Sequence, residues 1–135
     1  DQSPAERLFP LCIEHGVAVI ARVPFDEGSL TGTLTPDTQF DPADWRTRYF
    51  GGSRLAETCE RVARIQKLTQ NEGETLAQTA LRFCLSHPAV SVVIPGMRTI
   101  QHVDENCAVS DGRLLSESLL LALKGERWGR NFYAH

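Results

Sequence analysis

Two short runs of mostly apolar residues, Val17-Ala18-Val19-Ile20-Ala21 and Val90-Ser91-Val92-Val93-Ile94, stand among segments of helical spacing. Runs rich in β-branched residues and lacking strict alternation predict strands covered on both faces, as in a parallel sheet. Before the first run, Ser3-Pro4 reads as a helix N-cap followed by the first helical residue, where proline needs no N–H. Leu8, Leu11 and Cys12 then form an apolar stripe, and Gly16 sits where a left-handed residue would close the helix. Between the runs, Ser53 is predicted to cap a helix with Leu55, Cys59, Val62, Ile65 and Leu68 on one side, ended by Asn71 to Gly73. Thr75 is predicted to cap another, carrying Ala77, Ala80, Leu81, Cys84 and Leu85 and stopped by His87-Pro88, because a residue before proline avoids the helical region. After the second run come Pro95-Gly96, a helix from about Thr99 to Val109, and a last helix capped by Ser116 with Leu119, Leu120 and Leu123 inward. The order strand, helix, helix, strand implies a right-handed crossover between two parallel strands.

From Arg22 to Gly52 the periodicity is lost, and Pro24, Gly28, Gly32, Pro36, Pro42, Gly51 and Gly52 punctuate a segment too long for a mere connector. Asp41-Pro42 is expected to open a short helix through Trp45. Two short strands of buried character cannot complete a sheet or cover both its edges. The remaining strands must come from a preceding part of a longer chain, from another subunit, or from a cleaved partner that stays associated.

With 135 residues, 41% of them hydrophobic, the chain fits one core better than two. Its formal charge of -3 shows no basic excess, which argues against nucleic acid as a partner. No apolar run approaches the ~20 residues that cross a bilayer, and Asp1-Gln2-Ser3-Pro4 has no signal-peptide character, so a soluble, cytoplasmic protein without membrane partners is expected. Cys12, Cys59, Cys84 and Cys107 form no C-x-x-C pair and are expected to be buried free thiols. The four histidines show no ligand spacing, so no metal site is expected.

Two segments carry candidate chemistry. The first is the loop after the first run, residues 22–32, whose glycines let backbone N–H groups approach an anion at the C-terminal end of a parallel strand. The second covers residues 94–106, where a helix begins directly after a strand and presents unpaired N–H groups and a positive dipole end. Arg98 adds a planar guanidinium suited to a phosphate monoester, such as the one that distinguishes NADP from NAD. His102 and Asn106 share a helix face, with Glu105 beside them; an amide and a carboxylate together can meet the edge of an adenine.

Taken together these segments resemble the aldo-keto reductase family over nearly the whole chain. Val17 to Ala21 with Pro24, Gly28, Leu30, Thr31 and Gly32 resembles the family's seventh strand and the loop over the cofactor pyrophosphate. Ile94-Pro95-Gly96, Arg98 and Glu105-Asn106 resemble its eighth-strand signature. The ending Trp128-Gly129-Arg130-Asn131-Phe132-Tyr133 is similar to the C-terminus of one bacterial branch. The resemblance implies an α/β fold, the C-terminal portion of a (β/α)8 TIM barrel over residues 1–135, incomplete as a barrel. It also implies that NADP(H) is the cofactor. Arg98 and Thr99 would then hold the 2′-phosphate, Glu105 and Asn106 the adenine, and Gly28, Ser29 and Leu30 the pyrophosphate; Arg22, Pro24, Phe25, Ile94, Gly96, Met97 and His102 complete the expected set.

Three positions depart from the family pattern. Position 102 is often glutamine and is histidine here; position 22 is often an aromatic that stacks on the nicotinamide and is arginine here, whose guanidinium plane can also stack; Val23 replaces a frequent serine. The larger departure is that the family's Asp, Tyr, Lys and His tetrad belongs to the first half of the barrel, and nothing here matches it. Tyr49 and Tyr133 are the only tyrosines, and neither lies in a tetrad-like context; both are expected to be packing or cover residues. The resemblance therefore implies a cofactor-binding part of an oxidoreductase that reduces aldehydes or ketones when complete, dependent on the barrel's N-terminal half or on self-association. The alternative is a stand-alone truncated nucleotide-binding or interaction module without catalytic activity, or a fragment that folds and binds nothing specific.

Overall fold

The computed structural model describes residues 1–129 and Phe132. Arg130, Asn131 and Tyr133, on which part of the C-terminal resemblance and one tyrosine reading rest, lie outside the described residues.

Helix α1 (Pro4–Glu14) starts with proline in its first turn, and Gly16 at φ +63° closes it. The N–H of Val17 reaches the carbonyl of Cys12 at 2.8 Å and that of Gly16 the carbonyl of Ile13 at 3.2 Å, a Schellman ending. Ser3 does not cap: its backbone is helical and its N–H and Oγ both donate to the Asp1 carboxylate. The stripe of α1 is not a core either. Leu8 and Leu11 are 54% and 52% exposed, because among the described residues no element covers that side.

Strands β1 (Val19–Arg22) and β2 (Val90–Ile94) pair in parallel, with Ile20 beside Val92 and Arg22 beside Ile94 and an irregularity at Val19/Ile20. Joined through intervening helices, they form a strand–helix–helix–strand unit; what is present is a partial α/β fold, not a closed barrel. The expectation of strands covered on both faces fails for one face. Ile20, Val92 and Ile94 remain about half exposed while Val19, Ala21, Val90 and Val93 are more covered, since α4 packs against β2 and nothing described lies opposite.

Helix α2 is one turn (Arg46–Tyr49), starting where the expected helix was to end. Helix α3 (Arg54–Thr69) buries Leu55, Thr58 and Val62 but leaves Leu68 40% exposed. Ser53 precedes α3 without capping its N–H groups and donates instead to Glu57. Helix α4 (Leu76–Leu85) begins with a capping box, the Gln78 N–H donating to Thr75 Oγ1 and the Thr75 N–H to Gln78 Oε1. Helices α5 (Ile100–Cys107) and α6 (Glu117–Lys124) are capped by Thr99 and Ser116. Tyr49, Phe50 and Leu55 form one small core and Leu115, Leu119 and Leu123 another. The four cysteines are free; three are partly buried, but Cys107 is exposed on α5, contrary to the expectation of burial. Burial pushes the thiols of Cys59 and Cys84 up from their ordinary value. Among the described residues no helix is long and apolar enough to cross a membrane, and no cluster of metal-ligating side chains occurs.

Candidate functional site

Both strands end on the same side of the pair, so the loops that follow them meet. The first leaves β1 through backbone that side chains seldom adopt: Val23 at φ +51°, Asp26 at +48° and Glu27 at +56°, before Gly28 at +97°. A β-branched residue in the left-handed region is strained, on the order of 1–3 kcal/mol, and persists only where surrounding contacts fix it. Here the fixing group is Asp26. Its Oδ1 accepts the Tyr49 hydroxyl at 2.8 Å and its Oδ2 the Ser29 hydroxyl at 2.7 Å, while the N–H groups of Gly28 and Leu30 both donate to the Phe25 carbonyl at 3.0 Å. Tyr49 is 4% exposed and so packs and braces, as expected of it.

The second loop is simpler. After Ile94 four residues without regular structure lead to Thr99, whose backbone is extended and whose Oγ1 accepts the His102 N–H at 3.1 Å and opens α5. Asn106, buried on α5, donates its amide to the Gly96 carbonyl at 3.4 Å, and Gln78 of α4 donates to the Glu105 carbonyl at 3.4 Å. Gln101 donates to Glu105 Oε1 at 2.7 Å. The far end of α5 is tied down by Arg82, an α4 residue only 2% exposed. Its Nε donates to both Glu74 oxygens at 2.9 Å, its terminal nitrogens to both Asp111 oxygens at 2.7 and 2.9 Å, and Nη1 also to the carbonyl of Arg113 at 2.6 Å. Hydrogen bonds to Asp111 and Glu74 hold this guanidinium above its ordinary value, and the Arg82 bond pulls the Asp111 carboxyl down to about 2.

Between the loops lies a cleft of about 840 Å³. One wall carries Arg22, Pro24, Phe25 and Gly28, and the other Ile94, Gly96, Arg98, His102, Glu105 and Asn106. Four residues of the sequence-derived set stand off it. Ser29 is buried beneath the loop, Leu30 faces a separate groove with Leu76, Phe83 and Leu123, Met97 is 44% exposed beside the cleft, and Thr99 serves as the cap.

The long excursion supplies a third wall that sequence reasoning missed: Asp44, Trp45 and Arg46, with Thr31 and Thr33 below them. Arg46 donates from Nε to both oxygens of Asp44 at 3.1 and 3.0 Å and from Nη2 at 2.6 Å, while its own N–H caps on Oδ1 at 2.9 Å. Its guanidinium also lies 4.8 Å from the centre of the Phe40 ring. The hydrogen bonds from Arg46 hold the Asp44 carboxyl below the usual carboxylate range, with a smaller contribution from the charge of Arg98. The guanidinium of Arg98 is exposed and forms no ion pair among the described residues. The one local signal for this wall was Asp44-x-Arg46 beside an aromatic, a pattern common on solvated turns.

A partial parallel α/β unit whose strand-end loops converge on one cleft defines a class, and sequence comparison gives its family. The Aldo/keto reductase family matches residues 1–121, and the chain belongs to it. The chain is 30% identical to an uncharacterized oxidoreductase, YqkF, of Bacillus subtilis, over all of this chain and 42% of that protein. It is 26% identical to aldo-keto reductase str7 of Strobilurus tenacellus over 91% of this chain and 37% of the relative. Its fold is similar to that of glycerol dehydrogenase AKR11B4 from Gluconobacter oxydans, with a TM-score of 0.81 and 21% identity, over 93% of this chain and 38% of that one. The chain thus spans about two fifths of the length of the relatives it matches. The structures it is similar to are TIM barrels, and members of the family generally use nicotinamide cofactors.

Proposed function

We propose that residues 1–135 are the C-terminal part of an aldo-keto reductase barrel and bind the adenosine and pyrophosphate end of NADP(H), through loops 22–32 and 94–106. The observation that carries this reading is the convergence of both strand-end loops on one cleft that holds an arginine without an ion pair beside a helix N-terminus. The donor set fits the group. Arg98 and the first turn of α5, capped by Thr99, suit a 2′-phosphate, and Glu105 with the partly engaged amide of Asn106 suits adenine. On the pyrophosphate side the geometry redistributes the roles. The Ser29 hydroxyl is committed to Asp26 and the N–H groups of Gly28 and Leu30 to the Phe25 carbonyl, so these groups shape the loop, while the lack of a side chain at Gly28 leaves room for an anion beside Nη1 of Arg46. Arg22, at the end of β1 beside Ile94, lines the cleft, where its plane can stack on the nicotinamide. When bound, the nicotinamide supplies a hydride; the residues here hold and orient the dinucleotide, and the proton donor for an aldehyde or ketone comes from the barrel's first half.

The half-exposed sheet face of Ile20, Val92 and Ile94 supports a missing complement, as strands preceding this chain or as a second copy. An open reading frame with strand–helix repeats upstream supports the C-terminal placement; the same repeats downstream would overturn it. An open reading frame limited to these residues, with a self-associated product, would favour the stand-alone module. For the cofactor, the test is Arg98→Ala in the native polypeptide, with NADPH and NADH titrated separately. NADPH binding is expected to weaken at least about tenfold more than NADH binding; equal losses would refute the 2′-phosphate role. The isolated chain is expected to show no carbonyl-dependent NADPH oxidation, and turnover by purified material would sink the division of labour.

A further inference from the structure

The excursion places a carboxylate in the same cleft as the arginine that would meet the 2′-phosphate. We propose that Asp44 is a selectivity determinant of this cleft: fixed there by Arg46, it offsets the pull of Arg98 on a 2′-phosphate and narrows the preference for NADP(H) over NAD(H). The inference rests on the reading of the cleft as a dinucleotide site.

Position comes first. Asp44 and Arg98 arrive from segments more than fifty residues apart and line one cleft. Asp44 is also fixed in place, because the backbone N–H and the side chain of Arg46 engage both its oxygens. A carboxylate so held cannot swing away when a second anion approaches. The two groups sense each other across the cleft: the charge of Arg98 adds to that of Arg46 in favouring the ionised form of Asp44.

The charge balance of the lining then decides the sign. Arg22, Arg46 and Arg98 face Glu27, Asp44 and Glu105, so three positive groups meet three negative ones. A cleft without net charge offers little to the roughly two extra negative charges of a phosphate monoester. With the phosphate absent, a carboxylate at this end accepts a hydrogen bond from a ribose hydroxyl, the contact that favours NAD in other dinucleotide sites. Asp44 therefore disfavours the phosphorylated ribose and tolerates the plain one, whereas Arg98 does the reverse.

The test uses 2′,5′-ADP and 5′-AMP, which differ only by the 2′-phosphate, titrated calorimetrically into the native polypeptide that carries this chain. Asp44→Asn is expected to raise the affinity ratio of 2′,5′-ADP to 5′-AMP about tenfold. Asp44→Ser, which keeps an oxygen for the Arg46 N–H, is expected to do the same, and it carries the test if the asparagine variant does not fold. In an Arg98→Ala background the effect of either substitution should shrink several-fold. A ratio unchanged by both substitutions, with both ligands still bound, overturns the selectivity role and leaves the dinucleotide site standing. A shift of equal size in the Arg98→Ala background also overturns it, because Asp44 would then act through the released Arg46. Failure of the unsubstituted protein to bind either ligand removes the dinucleotide reading itself, and this inference with it.

Discussion

The loop after β1 and the loop after β2 reach the same cleft but are held by different means. The second is short and is fixed mainly by its neighbours in sequence: Thr99 caps α5, and Asn106 reaches back ten residues to the Gly96 carbonyl. Its distant anchors both come from α4: Gln78 donates to the Glu105 carbonyl, and the buried guanidinium of Arg82 grips the turn beyond α5. The first loop contains three non-glycine residues at positive φ and depends on a side chain far along the chain, Tyr49, to hold Asp26. The contrast teaches that a local cap sets a helix N-terminus without assistance, whereas a strained loop requires the whole excursion 33–50 to fold over it. A cleft built this way has one preset wall and one conditional wall.

The largest effect is expected at the anchor of the preset wall. Arg82→Ala removes the shared partner of Glu74 and Asp111 and leaves Glu74, 11% exposed, with only Arg113. Breaking a buried ion pair from one side costs about 3 kcal/mol. Urea unfolding should show that loss, and hydrogen exchange should place it in α4 and α5. A loss below about 1 kcal/mol would mean that the caps and the Gln78 bond hold α5 without Arg82. Smaller, and confined to the conditional wall, is Tyr49→Phe. It deletes one hydrogen bond to a carboxylate, which amounts to about 1.5 kcal/mol. The stronger expectation is spatial: exchange protection should fall in residues 23–31 and stay unchanged in α5. Equal losses in both would show that the two loops form one unit and that the comparison is wrong.

The same contrast governs what could be read in the sequence. Thr75 and Ser116 were legible as caps because a hydroxyl followed by a periodic run specifies the next turn, and Gly16 because Schellman closure is local; Thr99, expected as the first residue of its helix and a phosphate contact, is a cap as well. Ser3 and Ser53 have the same residue type but keep helical backbone, and their hydroxyls donate to nearby acids, Asp1 and Glu57. The two strands were legible as apolar runs, but their burial was not, since cover is supplied by elements and not by the run itself. Leu8, Leu11, Ile20, Val92 and Ile94 stay about half exposed because no element among the described residues lies against them. Of the site, the wall formed by Arg98, His102, Glu105 and Asn106 followed from a strand-to-helix junction. Asp44, Trp45 and Arg46 did not, because their approach to that wall is a long-range event with no periodicity to announce it. Arg82 was hidden for another reason: an arginine in an otherwise apolar helix reads as a solvated face until Glu74 and Asp111 are seen around it.

The smallest expected effect concerns acid. Asp111 has a carboxyl held down to about 2 by the Arg82 hydrogen bonds and the Arg113 N–H, against an ordinary value of 3.8. In the unfolded chain the group takes up its proton near its ordinary value, so between about pH 4 and pH 2 the unfolded state binds more protons than the folded one. Stability therefore rises with pH across that window: the contribution of Asp111 is fully present above about pH 4 and is lost as pH falls through about 2. Its side chain is half exposed, so solvent screens the interaction and the contribution is modest. Asp111→Asn should lower stability slightly at pH 7 and flatten the acid limb of a urea-midpoint profile between pH 4 and pH 2. Because Asp111 is held through Arg82, the flattening should vanish in the Arg82→Ala background. If it persisted there, the N–H and the charge of Arg113 would hold the carboxylate, and Arg82 would anchor this wall by packing and not through Asp111.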